Sequence, residues 1–310
     1  MKSNIVKLLA LAAMVSGVLI VFAQQPGDDE VRGAFLSSRP KTTNSNAPSR
    51  RHRPRHTNSN STNTSSGVAK NANANTTATN ANTATTNANT ARNKNSSKNE
   101  SQAIGLGYTL FMKDANGRGV RVEPSREFHN GDSVRLALEP NVDGYLYVFD
   151  VENESAPQMI YPDPRLDAGD NSVEAHVPIE IPSSEETDER LRWFTFYGNG
   201  GNEHLYVVVT REPLNGVPTG DDLVGFCATQ KDKCPWHPPA DVWAQVQDAT
   251  KGEVKVITAK TFGQTQSDKE KVATTRGLGL DQSAPLPSVI RMNASTSAPV
   301  LVTVLDLIHK

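Results

Sequence analysis

The chain has 310 residues and a formal net charge of −2. That near-neutral value hides an asymmetry, because residues 24–100 hold 11 Lys and Arg against 4 Asp and Glu, a balance of +7, whereas residues 101–310 carry −11. The composition excludes about a third of the chain from any packed fold, and no segment beyond the first 23 residues is apolar enough to span a bilayer.

The first 23 residues have the parts of a secretory signal peptide. Lys2 and Lys7 give a positive start, and an uncharged, mostly apolar run of about 15 residues follows from Leu8 to Phe22. The alternative is an uncleaved membrane anchor, but the run is shorter than the ~20 residues that a spanning helix needs. We therefore predict cleavage near Ala23 and export to the periplasm or outside the cell.

Residues 24–103 have the composition of a low-complexity linker rich in Asn, Thr and Ala. Between Leu36 and Gln102 the only large apolar residue is Val68, and there is no Phe, Trp or Tyr. Such a segment buries too little surface to offset a chain entropy of about 1–2 kcal/mol per residue. The sequence predicts a disordered stalk here. Its basic cluster, Arg50 to His56, favours a contact with anionic wall polymer, lipid headgroups or polysaccharide, or is simply solvated.

From residue 104 onward, apolar runs of strand length alternate with turn residues, a pattern typical of antiparallel sheets. The predicted strands are Tyr108–Met112, Ser133–Leu138, Tyr145–Phe149, Gln158–Tyr161, Val173–Ile181, Arg192–Tyr197, His204–Thr210, Val254–Ile257 and Pro299–Ile308. The Gly198–Gly201 segment predicts a hairpin, and a helix is predicted from Pro239 with Val242 and Val246 on one face. The last strand is too apolar for a free tail, so we expect it to pair with the main sheet.

These elements predict one all-β domain over residues 104–310. We expect an antiparallel β-sandwich, immunoglobulin-like in general architecture, with a minor helix and a long disordered region before it.

Three motifs in the β region occur in a recognisable order. A Gly131-Asp132 turn precedes a strand, Gly144-Tyr145-Leu146-Tyr147-Val148 forms the next, and Ile160-Tyr161-Pro162 ends the one after it. Together they resemble the bacterial family called domain of unknown function 4384, over about residues 108–214. The resemblance implies an exported or envelope-associated β domain and offers no catalytic residues. Residues 215–310 are then a C-terminal extension.

The two cysteines, Cys227 and Cys234, are close enough in the chain to close a small disulfide loop in an exported protein. Two free, packed thiols are the alternative. A zinc site would add only His237 nearby, which leaves a four-ligand structural site incomplete.

One acidic loop is a candidate for binding Ca²⁺. Asp163, Asp167, Asp170 and Asn171 could supply oxygen ligands, although their spacing matches no established calcium loop. Acidic turns are common on β domains, so the prediction is no metal and no cofactor.

No catalytic motif is present in the sequence. There is no nucleophile elbow, zinc-protease helix motif or phosphate loop. The histidines of the β region, His129, His176 and His204, and His237 after it are interpreted as surface or hydrogen-bonded structural residues. We therefore predict that the protein is not an enzyme.

Aromatic residues offer a possible contact surface. Tyr145, Tyr147, Trp193 and Tyr197 could stack on sugars or hold a peptide, and the alternative is that they fill the packed faces of the sheets.

The function predicted is a non-enzymatic binding module of the cell envelope. Its partner would be an envelope protein or a polysaccharide, with no nucleic acid and no membrane span after signal removal. One alternative is a structural envelope protein whose basic tail associates with wall polymer or polysaccharide. The other is a hydrolase, for which the sequence contains no motif.

Overall fold

The computed structural model describes residues 26–41, 102–153 and 155–310. The predicted signal peptide and the predicted disorder of residues 42–101 lie outside the described residues. Within the described ranges the chain forms thirteen β-strands, in two sheets, and four α-helices. The prediction of a mostly β fold is thereby confirmed, and three of the helices were not predicted.

The first sheet has seven strands. These are β1 Gly105–Lys113, β2 Gly119–Val122, β4 Ser133–Pro140, β8 Ile179–Ile181, β9 Phe194–Thr195, β11 Val254–Thr258 and β12 Val289–Asn293. Their order is β11–β12–β1–β4–β8, with β2 also paired to β1 and β9 also paired to β4. Every pairing in this sheet is antiparallel.

The second sheet has six strands. These are β3 Glu127–Phe128, β5 Gly144–Glu152, β6 Gln158–Tyr161, β7 Ser172–Val173, β10 Gly201–Thr210 and β13 Val300–His309. Their order is β3–β13–β10–β5–β6, with β7 also paired to β5. One pairing departs from the antiparallel prediction, because β13 and β3 run parallel, with Ile308 opposite Glu127.

The main hydrophobic core joins the two sheets. Alternate residues of a strand point to the same face, and one face of each sheet supplies this core. Leu106 and Leu138 come from the first sheet, and Leu146, Val207 and Leu305 come from the second. Burial of each such side chain stabilises the fold by about 1.5–3 kcal/mol, so the shared core holds the two sheets face to face.

Helices cover the outer faces of both sheets. Helix α1 (Pro26–Ser37) and helix α4 (Asp268–Arg276) lie on the first sheet, while α2 (Gly220–Thr229) and α3 (Ala240–Ala249) pack on the second. The predicted helix after Pro239 is α3, and its expected apolar residues, Val242 and Val246, are buried. Both faces of each sheet are therefore at least partly covered by protein.

Two sequence predictions about strand connections are wrong. The predicted strand Val173–Ile181 is two strands, β7 and β8, and they belong to different sheets. The chain turns between them at His176, whose φ is 62°, a conformation that no strand contains. The predicted hairpin across Gly198–Gly201 is absent, because β9 pairs with β4 in the first sheet and β10 pairs with β5 and β13 in the second.

The prediction for the C-terminal segment is confirmed. Strand β13 pairs along its whole length with β10, from Val300 opposite Thr210 to His309 opposite Gly201. It lies between β10 and β3, inside the sheet.

Residues 26–41 do not follow the linker prediction. Helix α1 places Val31 and Phe35 against Ile257 and Met292, and Arg39 is only 2% exposed. The folded unit therefore includes this segment as well as the predicted domain.

The predicted disulfide is confirmed. Cys227 and Cys234 are bonded, with their Cα atoms 5.2 Å apart. The bridge joins the last turn of α2 to the segment that carries Trp236, which is buried between the helices and the second sheet. Within the described ranges, none of the helices has both the length and the apolar character needed to cross a membrane.

Candidate interaction surface

A short helical turn and strand β9 build an unusual surface. The turn, Glu189–Arg192, is a 3-10 helix whose N-terminal cap is Asp188, and the Asp188 carboxylate accepts a hydrogen bond from the Arg190 backbone. Hydrogen bonds from Arg190 lower the pKa of Asp188 to about 2. The carboxylate therefore stays ionised and keeps the turn capped across the physiological pH range.

Strand β9 is held to the start of β4 through its backbone and one side-chain pair. The hydroxyls of Thr195 and Ser133 are 2.9 Å apart. The Gly131 N–H donates to the Phe196 carbonyl, and the Phe196 N–H donates to the Asp132 carbonyl, both at 2.9 Å. The Gly-Asp turn, one of the three motifs found in the sequence, thus anchors this segment.

The aromatic residues of the segment divide into anchored and exposed ones. Phe196 is 4% exposed and stacks on Phe128, with ring centroids 4.8 Å apart. Trp193 is half-buried, with the Arg135 guanidinium 4.1 Å from its ring centroid. Because these rings are fixed, the segment that carries the exposed side chains is fixed as well.

Three large apolar side chains of the segment are exposed to solvent. Leu191 is 48%, Phe194 41% and Tyr197 75% exposed. We call these three residues the exposed patch. They lie within seven consecutive residues, in a domain that buries most of its large apolar side chains.

The cations beside the exposed patch are paired. Arg190 bonds Asp188 at 2.6 Å, and Arg192 lies 3.5 Å from Glu189. The patch is therefore an apolar surface with ion pairs at its rim, which is the general composition of protein contact surfaces.

The predicted contact aromatics are not brought together. Tyr147 is fully buried, and its hydroxyl accepts a hydrogen bond from the Leu214 N–H at 2.9 Å. Burial raises the pKa of the Tyr147 hydroxyl. Tyr145 is half-buried in the same hydrophobic cluster under α2 and α3. Of the four candidates only Tyr197 is freely exposed, and Trp193 lies beneath the segment.

Sequence reasoning missed Leu191 and passed over Phe194 as a contact residue. The available signal was the density of the run Glu189 to Tyr197, in which two arginines alternate with apolar and aromatic residues. The part from Arg192 to Tyr197 was interpreted as half of a hairpin, which hid its position at the edge of the first sheet.

The candidate calcium loop has protein partners for its side chains. Asp163 receives hydrogen bonds from Arg165, Asp170 receives one from the Ser172 hydroxyl, and the Asn171 amide donates to the Leu146 carbonyl. The side chain of Asp167 lies outside the described residues. Among the residues described, no three His, Cys, Asp or Glu side chains are grouped so as to hold a metal ion.

Carboxylates crowd the start of β10. Glu203 pairs across the sheet with Glu152, and Leu205, two residues further along β10, pairs with Asp150. Burial, and then repulsion from Asp150 and Glu152, raises the pKa of Glu203 to about 7. Burial also raises the pKa of Asp150, which accepts a hydrogen bond from Gln158.

These carboxylates predict a pH dependence of stability. The folded state holds the Glu203 proton more tightly than the unfolded state does. The contribution of Glu203 to stability is therefore fully present below about pH 4.5 and is lost as the pH rises through about 7. Glu203→Gln removes the ionised form. We expect this variant to have a higher urea midpoint than the wild type at pH 8, with the difference shrinking towards pH 4.5.

The control for this measurement is Glu189→Gln, because the Glu189 side chain is 86% exposed. It should track the wild type at every pH. Equal midpoints for Glu203→Gln and the wild type at pH 8 would contradict the prediction.

The fold and the surface together define a two-sheet β domain in which residues 191–197 expose three large apolar side chains. Residues 127–213 match the model of the family described as Domain of unknown function (DUF4384), which confirms the resemblance inferred from the sequence. No curated protein and no solved structure matches the chain. The matched region contains β3 to β10 and the whole exposed patch. It lacks β1 and β13, each of which lies between two strands of its sheet.

Proposed function

We propose that the protein is an exported, non-enzymatic binding module that contacts its partner through the exposed patch. The observation that carries the proposal is the exposure of Leu191, Phe194 and Tyr197 on a segment whose backbone and neighbouring rings are fixed. A rigid aromatic surface binds without a large ordering cost, and aromatic residues next to arginine are typical of the energetic centres of interfaces.

The partner class that fits best is a protein of the cell envelope. The patch mixes Leu191 with two aromatic rings, and an aliphatic side chain at the centre of a contact suits a protein surface better than a sugar ring. A polysaccharide is the second candidate, and it is favoured by the open ring of Tyr197, which could stack on a sugar.

Export rests on two independent features. The N-terminal 23 residues have signal-peptide composition, and the Cys227–Cys234 bridge suits an oxidising compartment. The immunoglobulin-like architecture expected from the sequence belongs to the same proposal. The core that the two sheets share supports this architecture, whereas the parallel β3–β13 pair departs from it.

The test is the binding of mature protein to envelope fractions from the source cells. The variant Leu191→Ser/Phe194→Ser/Tyr197→Ser should bind at least about tenfold more weakly, because each anchor residue at an interface is worth on the order of 1–2 kcal/mol. Treatment of the fractions with protease should abolish wild-type binding if the partner is a protein, whereas glycan digestion should abolish it if the partner is a polysaccharide.

A matched control uses exposed apolar residues elsewhere on the surface. Val256, Val272 and Leu278 are 47%, 38% and 43% exposed, and serine at these three positions should leave binding unchanged. Equal loss in both triple variants would mean that general surface hydrophobicity causes the binding. No loss in the patch variant would refute the proposal.

A further inference from the structure

Residues 26–41, which we call the clasp, occupy a groove on the outer face of the first sheet. The groove is formed by β1, β4, the turn at His176 and the segment 281–287. It lies on the opposite face of the sheet from the main core, and the only covalent connection between the clasp and the rest of the fold is the segment 42–101.

Arg39 is the centre of the clasp. Its Nε and Nη2 donate to the two carboxylate oxygens of Glu139 at 2.7 and 2.6 Å. The remaining N–H groups donate to the carbonyls of Asp281, Ala284 and Pro285 at 3.4, 3.1 and 3.2 Å. All five donors of the guanidinium thus have acceptors, and the Arg39 side chain has no exposed surface.

His176 extends this network to a second residue of the clasp. Its Nδ1 lies 2.7 Å from Glu139, and its Nε2 lies 2.7 Å from the Ser38 hydroxyl. The Phe35 ring meets the edge of the imidazole, with the ring centroids 5.2 Å apart. His176 is therefore hydrogen-bonded, one of the two environments expected for it, and it is buried in a turn.

The absence of a side chain at Gly107 leaves room in the groove for the Phe35 ring. A Cβ atom at Gly107 would come within 2.5 Å of the Pro287 ring and 3.0 Å of the Phe35 ring. With the clasp removed, Glu139 would lose its cation, and the carbonyls of segment 281–285 would lose their donor. A clasp in the groove therefore stabilises the fold, and the empty groove is able to accept one.

The connection between the clasp and the domain is long. Sixty residues separate Lys41 from Gln102, yet Leu36 and Ala103 belong to one hydrophobic cluster, so both ends are held at the same place. A chain of that length can span up to roughly 200 Å when fully extended, far more than its ends require. The covalent connection therefore places little constraint on which groove a clasp enters.

We infer that the groove is an interaction surface between copies of this chain, which binds the clasp of a second copy. The contacts of Arg39, Ser38 and Phe35 are the same whichever chain supplies them, so exchange loses none of them. The tether gives the chain's own clasp an effective concentration on the order of 1 mM, so exchange dominates only when copies are crowded to that level.

The first experiment uses the full mature chain with Phe35→Ala/Arg39→Met, whose own clasp is disabled, and a fluorescent peptide of residues 24–41. The peptide should bind saturably to this variant. A peptide that carries Arg39→Met should bind at least tenfold more weakly, and wild-type protein, whose groove is filled, should compete poorly for the native peptide. Absence of binding to a variant with native near-ultraviolet circular dichroism would overturn the inference.

A second experiment begins with the wild-type protein. Wild-type protein refolded at about 1 mM should contain dimers that persist after dilution, whereas protein refolded at 1 μM should be monomeric in size-exclusion chromatography. Mixing the clasp variant with a Gly107→Val chain, whose groove is blocked, should give a heterodimer that neither forms alone. Wild-type protein that is wholly monomeric after refolding at 1 mM would refute the exchange.

Discussion

Replacing Arg39 with methionine is expected to lower the free energy of unfolding by about 3–5 kcal/mol. The substitution keeps an apolar stem in the groove but leaves the Glu139 carboxylate, only 4% exposed, without its bidentate cation. It also removes the donor for three backbone carbonyls in the segment 281–285. A residue in a stretch whose composition suggests a linker should therefore be among the most sensitive in the protein.

The measurement is urea unfolding of the protein, followed by circular dichroism. The matched control is Arg190→Met, since Arg190 also forms a two-pronged pair with a carboxylate, Asp188, but is 89% exposed. A much smaller loss is expected there, because solvent screens an exposed ion pair. The double variant Arg39→Met/Glu139→Gln should recover part of the loss because it removes the stranded charge. Equal losses for Arg39→Met and Arg190→Met would contradict the buried clasp.

Truncation after Ser297 should prevent the domain from folding to a soluble, cooperative state. Strand β13 lies between β10 and β3, so its removal opens the second sheet and leaves one edge of β10 without backbone partners along ten residues. It also removes Leu301, Leu305 and Leu307 from the core that joins the two sheets. The expected loss exceeds the total stability of a typical domain, about 5–15 kcal/mol.

Solubility on expression and the thermal melting transition of the truncated chain test this expectation. A milder pair of variants gives a graded readout in case the truncated chain yields no protein. Leu305→Ala should lower the free energy of unfolding by about 2–5 kcal/mol, and Ile308→Ala, which is half-buried, by less. A soluble truncated chain that melts at the full-length temperature would contradict the position of β13.

Much of the fold could be predicted because it depends on neighbours in sequence. The alternation in Ser133–Leu138 and the apolar run at Tyr145 mark β4 and β5, and the short spacing of Cys227 and Cys234 marks their bridge. The unpredicted helix α4 begins with a capping box at Ser267 and Glu270, a local signal that was present but lay in a stretch with little apolar periodicity.

The candidate surface was harder to predict because both faces of the second sheet are covered. In β5, Leu146 and Val148 face the core between the sheets, whereas Tyr145, Tyr147 and Phe149 face the helices α2 and α3. The alternation of side chains along β5 separates these two sets of residues. It cannot show which set is exposed when other parts of the protein pack against both faces. Tyr147 was therefore a reasonable contact candidate from the sequence, and only the position of the helices shows that it is buried.

The sequence by itself determined where most strands and the helix α3 lie, which cysteines pair, and that about residues 108–214 resemble a known family, whose model matches residues 127–213. The tertiary structure alone decided that β7 and β8 belong to different sheets and that Arg39 is buried. Arg39 meets partners 100 and more than 240 residues away, and no local pattern encodes such a contact. Periodicity reports the side of an element on which a residue lies, whereas its burial depends on what the rest of the chain brings to that side.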